Sequence, residues 1–483
     1  MSIRSNLFWA GGSQAIRVAV QLAFIVSMAR YLQPEDFGVM AVASAVVAFA
    51  VMIRDLGTSA AIIQQTDLQE STISGAFWLN LAMGLLCALL LVGLSPLAAR
   101  LFNAKTLIPI LCLLACTFLV SSSTVVHQAI LERTSQFRRL ALIEMGSNVT
   151  GLTLGLFAAS RGAGVYSFVV QALSQSLLSS SLLWKMVVGM PSVRPDSESI
   201  RRIFHFSSNL TLFNILNYVS RNADSMIVGS RLGTHPLGIY SIAYQIMLFP
   251  AQNLTGVTNR ALYPILCRRQ ESLQENADLI LRTVRNIALV TAPMMAILWV
   301  LRKPFIQFVF GNRWAEAENL ITWLAPVGFM QSLYGVTGIV FMAKGKTDRL
   351  LFLGCLSAIL NLGAFWVGSI FGITGVAICY FAINILVGIM CAVAISMELR
   401  ISILRQASTI FPAILGSLIT AGVLIPFSKL LVERSLFVHL GLSGLAGILV
   451  YSLLIIQFYP SIWKTMLQEM GMAAVSGSGD SHS

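Results

Sequence analysis

Residues 73–99 read ISGAFWLNLAMGLLCALLLVGLSPLAA and carry no charged side chain. As an α-helix, such a run is long enough to cross about 30 Å of hydrocarbon. Similar runs recur along the 483-residue chain, which is 56% hydrophobic and only 11% charged. Soluble domains carry about a quarter charged residues, so the composition excludes an ordinary water-soluble core. The sequence therefore predicts an all-α integral membrane protein, because helices satisfy their own backbone groups in lipid.

About fourteen transmembrane helices can be drawn, each of roughly 18 to 26 residues. Their predicted cores begin at Leu7, Gly38, Ile73, Leu107, Leu140, Val165, Ile203, Tyr240, Thr283, Leu320, Leu350, Gly375, Thr409 and Leu436. The predicted domains are an N-lobe of six helices (1–200), a C-lobe of six (201–396), two C-terminal helices (397–470) and a disordered tail (471–483). The longest connection, residues 260–285, is amphipathic and is interpreted as a surface helix.

The two lobes are predicted to be pseudo-symmetric because short segments recur. Residues 29–38, ARYLQPEDFG, are echoed by residues 230–238, SRLGTHPLG, although the second copy lacks the acidic pair of the first. A second echo relates RRLAL at Arg138 to RLLFL at Arg349. Six helices separate the copies, so both keep the same orientation in the membrane. Transporters often bind substrate between halves related in this way.

Metal, disulfide and nucleotide chemistry are not predicted. The seven cysteines lie mostly inside apolar runs, where they are interpreted as small packing residues. Cys112 and Cys116 share a helix face, but no His or carboxylate joins them to complete a metal site. The sequence has no Walker motif and no Ser/His/Asp constellation, so we expect neither an ATP-driven pump nor an enzyme, and no cofactor.

The formal net charge of +12 is explained by membrane topology rather than by binding to nucleic acid, since Lys and Arg lie between the apolar runs. With the N-terminus inside, the cytoplasmic segments carry about twice as many Lys and Arg residues as the outside segments. We therefore predict a multi-pass protein of the inner membrane with both termini in the cytoplasm.

Charged side chains inside the membrane cost about 2.5 to 3.5 kcal/mol each, so they carry functional information. Arg17 and Arg221 are the clearest examples. Polar residues recur along both of their helices at spacings that place them on one face. The predicted substrate-binding residues of the cavity are Ser13, Arg17, Gln21, Asn214, Asn217 and Arg221. An unpaired cation that faces such a cavity is an anion site.

Two carboxylates are candidates for ion coupling, Asp224 and Glu144. Asp224 lies three residues from Arg221, and the alternative is a buried ion pair that only neutralises itself. Glu144 lies near Arg139, where interfacial ion pairing is the favoured interpretation. Arg17 has no carboxylate three or four residues away, and its alternative is snorkelling to the interface.

Six segments resemble the polysaccharide transporters, the Wzx-type lipid-linked oligosaccharide flippases of the multidrug/oligosaccharidyl-lipid/polysaccharide superfamily, and especially their colanic-acid-type branch. They are ARYLQPEDFG (29–38), RDLGTSAAIIQ (54–64), FRRLALIE (137–144), NYVSRNADSMIVGSRLG (217–233), LGIYSIAYQIMLFPAQNL (237–254) and FGNRW (310–314). The resemblance covers most of the first 350 residues. The order and spacing of the segments are more specific than any one of them.

The resemblance implies a fourteen-helix, two-lobed fold with a central cationic cavity and alternating access. It also implies cargo carried on undecaprenyl pyrophosphate for exopolysaccharide or lipopolysaccharide biosynthesis in a bacterial inner membrane. The family's cavity cations correspond most closely to Arg17 and Arg221. Membrane lipids and the polysaccharide polymerase or export machinery are the implied partners. The alternatives are a MATE-like exporter of small molecules and a membrane-embedded polysaccharide polymerase or ligase.

Reporter fusions test the predicted topology. Fusions after Ser483, or between Arg268 and Arg282, are expected to report the cytoplasm, because the intervening helices would return the chain to that side. Fusions near Ala104 and Gly233 are expected to report the outside. Alkaline phosphatase and green fluorescent protein at each position give opposite signals, so each fusion controls for the other. A periplasmic signal after Ser483 would contradict the orientation.

Overall fold

The structure is a computed structural model. It describes residue 21 and residues 23–55, 62, 70–186, 222–255, 262–267 and 273–460. Every regular element within these ranges is helical, in agreement with the predicted all-α fold class. The chain divides into two compact units, Met1–Ser241 and Ile242–Ser483. The predicted bounds of the lobes, the last two helices and the tail stay predictions.

The helices are numbered in chain order. In the first unit they are α1 (Pro34–Asp55), α2 (Glu70–Leu101), α3 (Leu107–Ser122), α4 (Val125–Arg133), α5 (Phe137–Ser160), α6 (Tyr166–Met186) and the start of α7 (Thr234–Pro250). In the second unit they are α8 (Leu273–Val309), α9 (Ala317–Tyr334), α10 (Thr337–Ala343), α11 (Thr347–Ile370), α12 (Gly372–Leu399), α13 (Ile403–Leu430) and α14 (Leu436–Phe458). A π-helical turn, Ala251–Thr255, follows α7, and a 3₁₀ turn, Asn312–Trp314, follows α8.

Within the described ranges, nine helices are long and apolar enough to cross a membrane, or ten if α3 and α4 form one span bent by 45°. Large apolar side chains point outward from them. Leu89 on α2, Leu418 on α13 and Leu453 on α14 are each more than 60% exposed, as contact with lipid would require. The chain is therefore a multi-pass membrane protein. The total of fourteen spans stays a prediction.

The predicted spans agree with the described helices in position. α3 and α14 begin at the predicted residues, Leu107 and Leu436, and the other described helices overlap the predicted cores. The starts of the cores predicted from Leu7 and Ile203 lie outside the described residues, whereas residues 23–31 and 222–232, towards their ends, are helical. The largest difference is at the start of α8, where the sequence predicted a core beginning at Thr283.

Helix α8 corrects the interpretation of residues 260–285 as a surface helix, but only for residues 273–285. It begins at Leu273 and continues for 37 residues, which at 1.5 Å per residue is about 55 Å, well beyond the hydrocarbon thickness. The amphipathic stretch that contains Arg282 and Arg285 therefore includes the first turns of a spanning helix. The exposed side chain of Arg282 suits a helix end that projects past the hydrocarbon.

The turns between helices repeat at a fixed interval. The connection after α4 contains Ser135 with φ of +55°, and the connection after α10 contains Gly345 with φ of +67°. Gly162 after α5 and Gly372 after α11 have φ of +80° and +77°. Both pairs are 210 positions apart, as are the starts of α5 and α11. The recurrence of the same left-handed turns supports the internal repeat.

The helix bounds also shift the alignment of the second pair of repeated segments, RRLAL and RLLFL, by one residue. At an interval of 210 residues the counterpart of Arg349 is Arg139, one position beyond Arg138. The preceding spans match as well, because α3 and α9 each stop short and are each followed by a short helix before the turn. The fourth and tenth predicted spans are therefore interrupted at matching positions, although among the described helices only the fourth is bent by more than 40° there.

The two copies of the first repeat meet at the N-termini of α1 and α7, inside the first unit. A Cβ atom added to Gly38 would lie 1.8 Å from the carbonyl oxygen of Thr234. One added to Gly238 would lie 1.8 Å from the carbonyl oxygen of Pro34. No side chain fits at either distance, so the contact requires glycine on both helices.

Substitution of Gly38 by alanine tests this contact. Because the new methyl group must displace the backbone of Thr234, we expect Gly38→Ala to cost about 1–3 kcal/mol, the range for overpacking. The matched control is Gly93→Ala on α2, where no atom lies within 4 Å of the added Cβ and alanine is the better helix former by about 1 kcal/mol. Thermal unfolding of both purified variants is the measurement. Equal melting temperatures would contradict the described contact.

Candidate functional site

Most of the predicted substrate-binding residues lie outside the described ranges. These are Ser13, Arg17, Asn214, Asn217 and Arg221. Gln21 is described; it is helical and exposed. The assignment of all six to a cavity therefore stays a prediction.

Asp224, a predicted ion-coupling residue, is buried with 3% of its surface exposed. Its Oδ2 atom accepts a hydrogen bond of 3.2 Å from the hydroxyl of Tyr240 on α7. A buried carboxylate needs such donors or a counter-charge, and Arg221, the predicted counter-charge, is outside the described residues. The structure thus adds a polar partner that the sequence did not reveal, because Tyr240 is sixteen residues away.

Glu144, the second predicted coupling residue, is half-buried on α5. The nearby cation that the sequence proposed for interfacial pairing, Arg139, donates from Nη1 to Oε1 of Gln136 at 2.7 Å. This places Arg139 against the amide that precedes the first turn of α5. The coupling role of Glu144 stays a prediction.

Two arginines of the first unit are tied to neighbouring helices. Arg54 donates from Nη1 to the hydroxyl of Ser121 at 2.6 Å, and its guanidinium lies 5.7 Å from the ring centre of Phe118. Arg133 donates from Nη1 to the carbonyl oxygen of Ile62 at 2.6 Å. Contacts of this kind hold helix ends together, so we assign both arginines to structure.

Arg285 on α8 differs from these arginines. Its Nε and Nη2 atoms are buried and make no hydrogen bond with any part of the chain that the structure describes. A guanidinium has donors and no acceptor, and its planar fork matches two oxygen atoms of an anion. Arg285 is the last residue of the amphipathic stretch 260–285. Its place on a spanning helix makes it a further candidate for anion binding.

A polar cluster in the second unit was not predicted. We define it as Gln331 and Tyr334 on α9 with Tyr380 and Asn384 on α12. Nε2 of Gln331 donates to the hydroxyl of Tyr380 at 2.7 Å and to Oδ1 of Asn384 at 3.2 Å, and the hydroxyl of Tyr334 also donates to Oδ1 of Asn384. The members satisfy one another, which is how polar groups are retained between spanning helices.

A cationic cluster surrounds Glu398 at the end of α12. Its carboxylate, only 3% exposed, lies 3.2 Å from Nζ of Lys344, 2.7 Å from Nζ of Lys346 and 3.4 Å from Nη1 of Arg349. The predicted topology places the three cations on the cytoplasmic side, and the carboxylate was not predicted as their partner. The signal was present, because Glu398 ends an apolar run on the side where those cations lie.

The junction between α1 and α7 carries one further polar contact. Nδ1 of His235 lies 2.6 Å from Oε1 of Glu35, and the two side chains are 41% and 49% exposed. No sequence pattern pairs the two residues, since they are 200 positions apart. Across the described residues, no three His, Cys, Asp or Glu side chains are placed to hold a metal ion.

Comparison with known proteins agrees with the resemblance found in the sequence. Residues 27–319 match a family model described as polysaccharide biosynthesis protein. The teichuronic acid biosynthesis protein TuaB of Bacillus subtilis strain 168 is 28% identical over 434 residues, 87% of this chain and 88% of its own. The lipopolysaccharide biosynthesis protein WzxC of Escherichia coli strain K12 is 22% identical over 395 residues, 80% of each chain.

The fold is shared with a solved flippase structure. The lipid II flippase MurJ in an inward closed conformation superposes with a TM-score of 0.74 at 16% identity, over 94% of this chain and 99% of its own. At that identity the likeness establishes the fold alone. The chain belongs to the polysaccharide biosynthesis protein family, whose model matches more than half of it, and TuaB and WzxC are among its relatives.

Proposed function

We propose that the chain is a flippase that moves undecaprenyl-pyrophosphate-linked oligosaccharide repeat units across the bacterial inner membrane for exopolysaccharide or lipopolysaccharide biosynthesis. The observation that carries the proposal is the family match over residues 27–319. The fold likeness to the lipid II flippase supports it. In this proposal both termini lie in the cytoplasm.

The physical task explains why a protein is needed. A sugar headgroup carries many hydroxyl groups, and each one moved unpaired into hydrocarbon costs several kcal/mol. A polar cavity that opens alternately to either side removes this barrier, while the lipid tail stays in the bilayer. The protein therefore supplies hydrogen bonds and a path, and no covalent chemistry is required.

The proposed roles follow from the chemistry of the side chains. Arg17 and Arg221 attract the pyrophosphate or acidic sugars through charge-assisted hydrogen bonds. The shorter polar side chains bind sugar hydroxyls; they are Ser13, Gln21, Asn214 and Asn217. Arg285 is a further candidate, since two of its guanidinium nitrogens have no hydrogen-bond partner in the part of the chain that the structure describes.

The two alternative functions fit the chain less well. A MATE-like exporter of cationic drugs is expected to use an acidic cavity, whereas the predicted cavity residues include two arginines. A membrane-embedded polymerase or ligase generally needs a large extracytoplasmic loop, and no predicted outside loop exceeds about 20 residues. We therefore propose a non-enzymatic transporter that works beside the polymerase or export machinery.

Substitution of the two arginines tests the cargo site. The variants are Arg17→Lys, Arg17→Ala and the double variant Arg221→Ala/Asp224→Ala, which avoids leaving Asp224 without its predicted counter-charge. We expect both alanine variants to reduce polymer export about tenfold or more, since a hydrogen bond to a charged group contributes about 1.5–3 kcal/mol. Arg17→Lys should retain part of the export, because the charge remains but the planar fork is lost.

The control for these variants is Arg434→Ala, which removes an exposed arginine beyond α13. Membrane abundance is measured first, and export of lipid-linked repeat units is then compared at equal abundance. Normal export by abundant Arg17→Ala and by the double variant would mean that these charges do not bind cargo. The cationic-cavity mechanism would then be abandoned.

Asp224 is the proposed ion-coupling group, and its contact with Tyr240 supplies the test. If Asp224 takes up a proton during transport, Asp224→Asn should transport without dependence on the proton gradient. Tyr240→Phe, which removes the hydroxyl that donates to the carboxylate, should keep that dependence. Transport into inverted membrane vesicles with and without a protonophore is the measurement. A normal gradient dependence in Asp224→Asn would remove the coupling role.

A further inference from the structure

The contacts between the N-termini of α1 and α7 join corresponding parts of the two repeat copies, which are 200 positions apart in sequence. They are Gly38 with Thr234, Gly238 with Pro34, and Glu35 with His235. In each contact a residue of one repeat copy meets a residue of the other, and the counterparts are 200 positions apart in sequence. Residue 34 corresponds to 234, 35 to 235 and 38 to 238. The junction therefore has a local two-fold symmetry that its own contacts reveal.

The symmetry makes the two backbone contacts interdependent. Gly38 lies one helical turn after Pro34 and contacts Thr234, and Gly238 lies one turn after Thr234 and contacts Pro34. The first turns of α1 and α7 therefore cross with no side chain between them. Moving one helix outward lengthens both contacts at once. Helices whose backbones touch leave no opening at that point, and nothing the size of a sugar can pass between them there.

Positions 35 and 235 face each other across the local two-fold axis, and their side chains are chemically complementary rather than identical. An unchanged repeat would place the same residue at positions 35 and 235, and two carboxylates facing each other would repel. Instead, the carboxylate of Glu35 faces the imidazole of His235 at 2.6 Å. Both side chains are more than 40% exposed. Exposed pairs contribute little to stability and break easily in water, which suits a contact that opens and closes.

We propose that residues 34–38 and 234–238 form a clasp that closes the extracytoplasmic end of the transport path in this conformation, and that the pairing of Glu35 with His235 sets the fraction of time it stays closed. The location follows from the predicted topology, which places the connections before α1 and α7 outside. The proposal rests on the proposed function, because a closed outer end matters only to a chain that moves cargo across the membrane. The competing interpretation is a static structural junction.

The clasp is tested by measuring a distance across it. Spin labels are attached to Gln33→Cys and Ser230→Cys, both exposed positions that flank the clasp, after replacement of the seven native cysteines. Pulsed electron paramagnetic resonance of the purified full chain in lipid nanodiscs then reports the distance distribution. We expect a short and a long population. Glu35→Gln and His235→Gln should each enlarge the long one at least twofold, and the exchange Glu35→His/His235→Glu should restore the original ratio.

The matched control is Asp36→Asn. Asp36 is the neighbouring carboxylate, and its Oδ2 atom accepts a hydrogen bond from the backbone of Gln33 within the same repeat copy. The asparagine keeps that acceptor and removes the charge, so we expect the populations to stay unchanged. A single short population in every variant, or an exchange variant that behaves like the sum of the single ones, would overturn the clasp.

A second measurement connects the clasp to transport. In Glu35→Cys/His235→Cys cells, a short reducible bis-methanethiosulfonate should join the two positions and stop polymer export, and reduction should restore it. Normal export by the joined protein would overturn the clasp even if the label distances vary. If the wild-type chain, the joined protein and the reduced protein all fail to export polymer, the proposed function is contradicted instead. The spin-label distances would then still show whether the junction opens.

Discussion

Every backbone N–H and C=O group that enters the hydrocarbon has to find its partner within the protein, because lipid supplies none. This constraint dictates the helices and also the way they are interrupted. Where α3 gives way to α4, the hydroxyl of Thr124 donates to the carbonyl oxygen of Ser121 at 2.9 Å, and that of Ser123 donates to that of Val120 at 2.8 Å. Short polar side chains thus give the carbonyl groups at the break additional hydrogen bonds from within the same turn.

The same constraint favours repetition, because a helical arrangement that satisfies its own backbone can be used twice. The left-handed turns at Ser135 and Gly345, and again at Gly162 and Gly372, are the clearest evidence of such reuse. Side chains diverge more freely than turns. The copies that begin α1 and α7 keep their glycines, yet one carries a glutamate where the other carries a histidine. Two lobes that share helices and turns but differ in side chains can contribute unequally to binding and gating in a transporter.

The sequence was sufficient for the helices and insufficient for most contacts. Apolar runs reveal spans directly, and the starts of α3 and α14 agree to the residue. The start of α8 was missed because a helix that projects beyond the lipid looks amphipathic at its end. The pairing of Glu35 with His235 and the cluster around Glu398 join residues far apart in sequence, and no periodicity records such distances. The polar cluster of α9 and α12 was not predicted because its members are uncharged and about 50 positions apart in sequence.

The cluster around Glu398 has a consequence for how the protein is made. Lys344 precedes its carboxylate partner by 54 residues, which at 5–20 residues per second is about 3–11 s of synthesis. The ribosome thus delivers Lys344, Lys346 and Arg349 to the membrane before Glu398 exists, and the insertion machinery meets three uncompensated positive charges. In the predicted topology these charges retain their end of α11 in the cytoplasm. Glu398 is synthesised later and neutralises part of this positive charge after the orientation of α11 is set. The same cations therefore first orient the helix and then form ion pairs in the folded protein.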